Sequence, residues 1–202
     1  MNFQFFTALV LFAFVSCVTP GPNTMMLLSS GTSFGFARTI PHMLGICFGL
    51  IVMMIMVGAG LINVLALFPL AYIVLKVAGI SYLLYLAWSI ATASPTSILA
   101  KGGNQTGRPV SFVQAVLLQW VNPKAMTMAL TAITAFVPKP QTASGLIMVA
   151  LIFGLICLPT TIIWATMGTH IKRLLSKPSH VRTFNIIAAI ALIMSLYPII
   201  MA

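Results

Sequence analysis

The chain has 202 residues, 60% of them hydrophobic and only 5% charged, where a soluble domain has about a quarter charged. Its formal charge of +10 comes with no Asp or Glu, which excludes carboxylate-pair hydrolysis, aspartyl proteolysis, Asp/Glu metal cages and carboxylate proton relays by this chain acting alone. So much apolar side chain needs lipid as its solvent, and the composition predicts an all-α integral membrane protein.

Apolar stretches of roughly 18 or more residues predict six spans. The first covers residues 4–28 and is read as a retained span, because Met1-Asn2-Phe3-Gln4 carries no basic start and the apolar run continues past Leu27. Pro20-Gly21-Pro22-Asn23 interrupts it. A turn over residues 31–38 leads to the second span, 41–64, and the third covers 69–92. A polar stretch at 101–109 is the one evident linker. The fourth span, 112–137, is interrupted by Asn122-Pro123-Lys124; the fifth covers 144–168 and the sixth 184–201. The chain thus reads as one domain, 1–202, made of a three-helix half (1–95), a cytoplasmic linker (96–111) and a second three-helix half (112–202).

Basic residues set the expected orientation. Arg38, Lys101, Arg108, Lys172, Arg173, Lys177 and Arg182 fall in alternate loops, and Lys139 alone faces the other way. The positive-inside rule places the first group in the cytoplasm and both termini in the periplasm. Dispersed in this way, the charge reads as a topology signal facing anionic lipid and not as a nucleic-acid surface. Asn104-Gln105-Thr106 matches a glycosylation sequon but lies in a cytoplasmic loop, and is discounted. Tyr82, Tyr85 and Trp88 suit an aromatic belt or simple packing, and Gly45-x-x-x-Gly49 is compatible with close helix contact.

The two interruptions carry the functional reading. Three spans per half place the halves in opposite orientations, so spans one and four run antiparallel, each with a Pro/Asn break. Corresponding breaks in two halves point to a transporter site at the repeat interface, although a proline kink taken singly is often only structural. Asn122 is a favoured N-cap with proline next to it, so Asn122-Pro123 can start a new half-helix inside the membrane; Pro22-Asn23 can do the same, with Gly21 permitting unwound backbone. Helix N-termini favour anions. Lys124 lies on the order of 15 Å deep at 1.5 Å per residue, where a lone charge costs at least ~2.5 kcal/mol. A ligand, a wet cavity or deprotonation has to compensate it. Pro20, Gly21, Pro22, Asn23, Asn122, Pro123 and Lys124 are therefore the expected binding residues for a substrate carboxylate. Lys76 is close enough to the outer end of its span to snorkel.

His42, His170 and His180 lack metal-binding spacing, with His170 and His180 expected at the cytoplasmic surface and His42 free to titrate. Cys17, Cys47 and Cys157 contain no CxxC and read as small buried apolar residues. No catalytic residue, metal or cofactor is expected.

Pro20-Gly21-Pro22-Asn23, the turn from Gly35 to Arg38, Gly45 and Gly49, the run from Lys76 to Trp88, and Asn122-Pro123-Lys124 together resemble the LysE/RhtB family of bacterial amino-acid exporters, in order over nearly the whole chain. Ser111-Phe112, Leu118-Gln119-Trp120-Val121-Asn122, Trp164 and His170 further resemble its cysteine/O-acetylserine exporter branch. The resemblance implies a non-enzymatic inner-membrane secondary transporter, driven by the proton-motive force, that expels small neutral amino acids or derivatives. Its partners would be the substrate, lipid and, compatibly, further copies of the chain. The family's common acidic residue in a later span is missing here, so the coupling path stays unassigned. Two other readings remain open: a membrane thiol-redox electron carrier, prompted by Cys17 near Pro20 and Cys157 near Pro159, and a channel or non-transporting scaffold.

Overall fold

The computed structural model describes residues 3–60, 69–93, 108–138, 142–175 and 177–194. The middle of the predicted linker with Lys101 and the sequon, Lys139, the end of the sixth predicted span, and the side chains of Lys76 and Arg173 lie outside the described residues. The described chain is all-helical: α1 (Phe3–Val18), α2 (Pro22–Phe34), α3 (Phe36–Gly58), α4 (Pro69–Thr92), α5 (Phe112–Leu118), a 3-10 turn (Gln119–Val121), α6 (Pro123–Phe136), α7 (Ala143–Leu174) and α8 (Pro178–Met194).

Helices α3 and α7 are each long and apolar enough to cross a bilayer. Helices α1 and α2 qualify only together, as a pair bent by 56° at the first break. Val77–Thr92, Phe112–Val121 and Pro178–Met194 are shorter apolar helices. Large apolar side chains point outward all around the molecule, among them Leu70, Trp88 and Leu155, each at least 70% exposed. In water these faces would be unstable; against acyl chains they need no cover.

The predicted turn at 31–38 proves much tighter. Residues 31–34 belong to α2, and Gly35 alone separates α2 from α3. Its φ of 81° is the left-handed conformation that favours glycine. Gly31 had the look of a helix breaker, yet it serves packing: a Cβ there would sit 2.2 Å from the Ala165 carbonyl oxygen. Opposite it, a Cβ at Gly168 would sit 2.3 Å from the Leu28 carbonyl oxygen. Two glycines thus let α2 and α7 cross backbone to backbone, and the Thr32 hydroxyl reaches the Gly168 carbonyl at 3.0 Å. The Gly45/Gly49 pair works in the same way, receiving Phe112, Ala115, Val116 and Gln119 of the fourth predicted span.

The packing is paired across the chain. Helix α3 lies on α7 and α4 on α8; α1 and α2 both pack on α7, as α5 and α6 both pack on α3. The main core runs through α1, α2, α3, α5, α6 and α7 around Leu50, Met53 and Phe153. A smaller cluster of Met26, Leu83, Ala87, Leu118, Ala189 and Leu192 fixes α4 and α8 on the flank.

Candidate functional site

Each break forms by a distinct local device. At the second, the 3-10 turn ends the half-helix α5, and Asn122 turns to an extended backbone (φ −87°, ψ 107°). Its side-chain oxygen accepts from the amides of Lys124 at 3.1 Å and Ala125 at 3.4 Å, and Pro123, which has no N–H to satisfy, opens α6. The expected N-cap is therefore in place. At the first break Gly21, not Asn23, is the cap. The Thr24 hydroxyl accepts from the Gly21 amide at 2.7 Å and returns a bond to its carbonyl at 2.8 Å. Gly21 is extended (φ −176°), a backbone any residue adopts, so unwinding does not explain the glycine. Space does: a Cβ there would lie 2.8 Å from Lys124 Cδ.

Asn23 is left free to reach across. Its amide donates to Gln119 Oε1 at 2.9 Å, and Gln119 donates in turn to the Ala115 carbonyl at 2.9 Å. One amide pair, half-buried at Asn23 and fully buried at Gln119, thus joins the two breaks. Lys124 makes the second link: its ammonium donates to the carbonyls of Thr19 and Pro20, just past the end of α1. Trp164 Nε1 donates to the Val18 carbonyl at 3.1 Å. Successive carbonyls freed by the first break therefore find donors from α6 and α7, which meets the requirement that non-helical backbone at membrane depth be satisfied by protein. The sequence offered Lys124 no carboxylate, and the fold supplies carbonyls at the negative end of a helix in its place.

Two hollows meet at this lysine. The inner one, about 40 Å³, is lined by Asn23, Gln119, Asn122, Cys17, Cys157 and Trp164 among others; it has room for a few waters and no larger solute. The outer one, about 530 Å³, is wider and includes Phe12, Thr19, Pro20, Pro123, Thr127 and Thr131. Gly21, Pro22 and Lys124 line both. Every expected site residue thus faces one hollow or the other, and Lys124 stands in the wall between them.

Gln119, Thr24 and Trp164 are the contributors that residue-by-residue reading passed over. Gln119 carried a usable signal, a neutral amide inside an apolar half-helix, and it is fully buried. His42 also differs from expectation: it is fully buried, with Nδ1 3.3 Å from Ser30 Oγ, while His170 and His180 are exposed. Among the described residues no group of His, Cys, Asp or Glu could hold a metal ion.

A family model described as LysE type translocator matches residues 14–196. A cysteine/O-acetylserine efflux protein of Escherichia coli O1:K1 / APEC is 33% identical over 183 residues, covering 90% of each chain. The protein of the same name from Escherichia coli strain K12 is 32% identical over 183 residues, again with 90% of each chain covered. No solved structure matches.

Proposed function

The chain belongs to the LysE type translocator family, and on that premise we propose that it exports small neutral amino acids or their derivatives, of the cysteine and O-acetylserine kind, across the bacterial inner membrane. The carrier has six spans in two inverted halves, with both termini periplasmic and the proton-motive force driving efflux. Support for the inverted halves comes from the paired packing, in which α1 and α2 lie on α7 as α5 and α6 lie on α3.

The observation that carries the site is the meeting of the breaks: Asn23 on Gln119 and Lys124 on the carbonyls of Thr19 and Pro20, around one shared pair of hollows. An amino acid brings one ammonium and one carboxylate, and the site has a place for each. The carbonyls of Thr19 and Pro20 already hold a cation, the lysine's own. A substrate ammonium arriving there frees Lys124 for the substrate carboxylate, beside the positive N-terminal ends of α2 and α6. Pro20, Gly21, Pro22, Asn23, Asn122, Pro123 and Lys124 form this site. The inner hollow is too small for the solute in the present conformation, so entry requires the two half-helix pairs to part.

The test is efflux from proteoliposomes loaded with labelled cysteine or O-acetylserine, with and without an imposed pH gradient. Saturable efflux that accelerates with the gradient is expected. Efflux linear in solute concentration would favour a channel, and gradient-independent saturable efflux would remove the proton from the scheme.

A further inference from the structure

The chain's three cysteines are far apart in sequence, on α1, α3 and α7, yet all three belong to one buried cluster. Cys47 Sγ lies 3.9 Å from the hydroxyl of Thr161, one turn beyond Cys157 on the same helix. Cys17 and Cys157 line the inner hollow, as Lys124 does. Nothing in the export scheme uses these thiols. Small apolar filling would be served equally by alanine, and it does not account for two thiols from distant parts of the chain lining one small cavity.

We propose that Cys17 and Cys157 form a thiol–disulfide exchange site for low-molecular-weight disulfides, and that its oxidation staples α1 to α7 beside the first break. The Cys17 thiolate attacks one sulfur of the disulfide R–S–S–R. That S–S bond breaks, and one RS⁻ leaves and takes up the proton Cys17 gave away. Cys157, deprotonated in turn, attacks the Cys17 sulfur of the mixed disulfide and expels the second RSH. Two protein thiols are oxidised, one small disulfide is reduced to two thiols, and no other oxidant is needed. The reagent enters by the same parting of the wall at Gly21 and Lys124 that a solute requires.

The whole chain in lipid nanodiscs is treated with hydroxyethyl disulfide and examined by intact mass and peptide mapping. Wild type is expected to lose the mass of two hydrogens, retain no adduct and yield a peptide linking Cys17 to Cys157. The Cys157→Ser variant is expected to hold a stable mixed disulfide at Cys17. Untouched thiols in wild type, or an adduct at Cys17 that never resolves, overturn the site, and both are read on wild type even where the variant does not fold. The stapling rests on the export reading and has its own arm: in vesicles already shown to export, the reagent should stop efflux and a thiol reductant should restore it. Unchanged efflux once the linked peptide has formed overturns the staple while leaving both the exchange site and the export reading standing.

Discussion

Replacing Lys124 with glutamine separates the structural and transport roles of the ammonium. The side chain donates to the carbonyls of Thr19 and Pro20, and a hydrogen bond from a charged group is worth about 1.5–3 kcal/mol. Glutamine's amide can restore one of the two bonds. Removing a cation from membrane depth returns roughly 2.5–3.5 kcal/mol. The terms nearly offset, so Lys124→Gln should fold and insert at close to wild-type levels. Transport should not survive as well. A hydrogen bond to a charged group is worth about 1.5–3 kcal/mol, and at about 1.4 kcal/mol per decade its loss lowers apparent affinity roughly 10- to 150-fold. Efflux from loaded proteoliposomes over a range of internal concentrations, normalised to inserted protein, reads this as a raised half-saturating concentration. Lys124→Arg is a poor control, because the lysine stem already lies so near Gly21 that a Cβ there would be 2.8 Å from Cδ. A well-inserted glutamine variant with a half-saturating concentration within about twofold of wild type would refute the assignment of Lys124 to the substrate carboxylate.

Asn122→Ala should lower stability by about 0.5–2 kcal/mol through loss of the α6 cap, while Asn122→Ser keeps most of it; thermal unfolding in detergent followed by helical circular dichroism compares the two. Gly31→Ala places a methyl 2.2 Å from the Ala165 carbonyl oxygen, and an overpacked crossing of this kind costs about 1–3 kcal/mol. Its monodisperse yield should fall well below that of Gly35→Ala, where a Cβ meets nothing within 4 Å and only the positive φ is strained. Gln119→Leu breaks the bond to Asn23 while filling similar volume, and should raise efflux of poorly matched solutes relative to the preferred one. An unchanged ratio in a competition efflux assay would show that the amide pair plays no part in selection.

Much of the helical plan was legible because lipid makes hydrophobic runs nearly self-delimiting. The third predicted span and α4 share the same ends, and Asn122-Pro123-Lys124 was recognisable as a cap because capping depends on neighbours two or three residues away. The misreadings have physical causes of the opposite kind. Gly31 resembles a breaker in any local window, and only the backbone of α7 against it reveals a packing glycine. Gly21 invites the same error, its role being set by Lys124, more than a hundred residues on. The gathering of Cys17, Cys47 and Cys157 into one buried cluster and the grip of Trp164 on the Val18 carbonyl depend on which helices cross, information that no spacing within a single helix contains. Gln119 lay between these cases, its amide conspicuous in an apolar run but its partner, Asn23, invisible.

The first break matters as much for what it ends as for what it begins. Helix N-termini in a membrane attract attention as anion sites, and α2 and α6 supply two. The same interruption also frees the carbonyls of Val18, Thr19 and Pro20 at the negative end of α1, and these now hold an indole N–H and an ammonium. A chain without Asp or Glu has no side-chain anion with which to bind an amino group, so main-chain carbonyls are the natural acceptors left to it. Breaking a helix produces both kinds of terminus within a few residues of each other. In the proposed export scheme, that economy is what lets a chain without Asp or Glu hold an amphoteric solute, with Lys124 of α6 aimed at backbone oxygens.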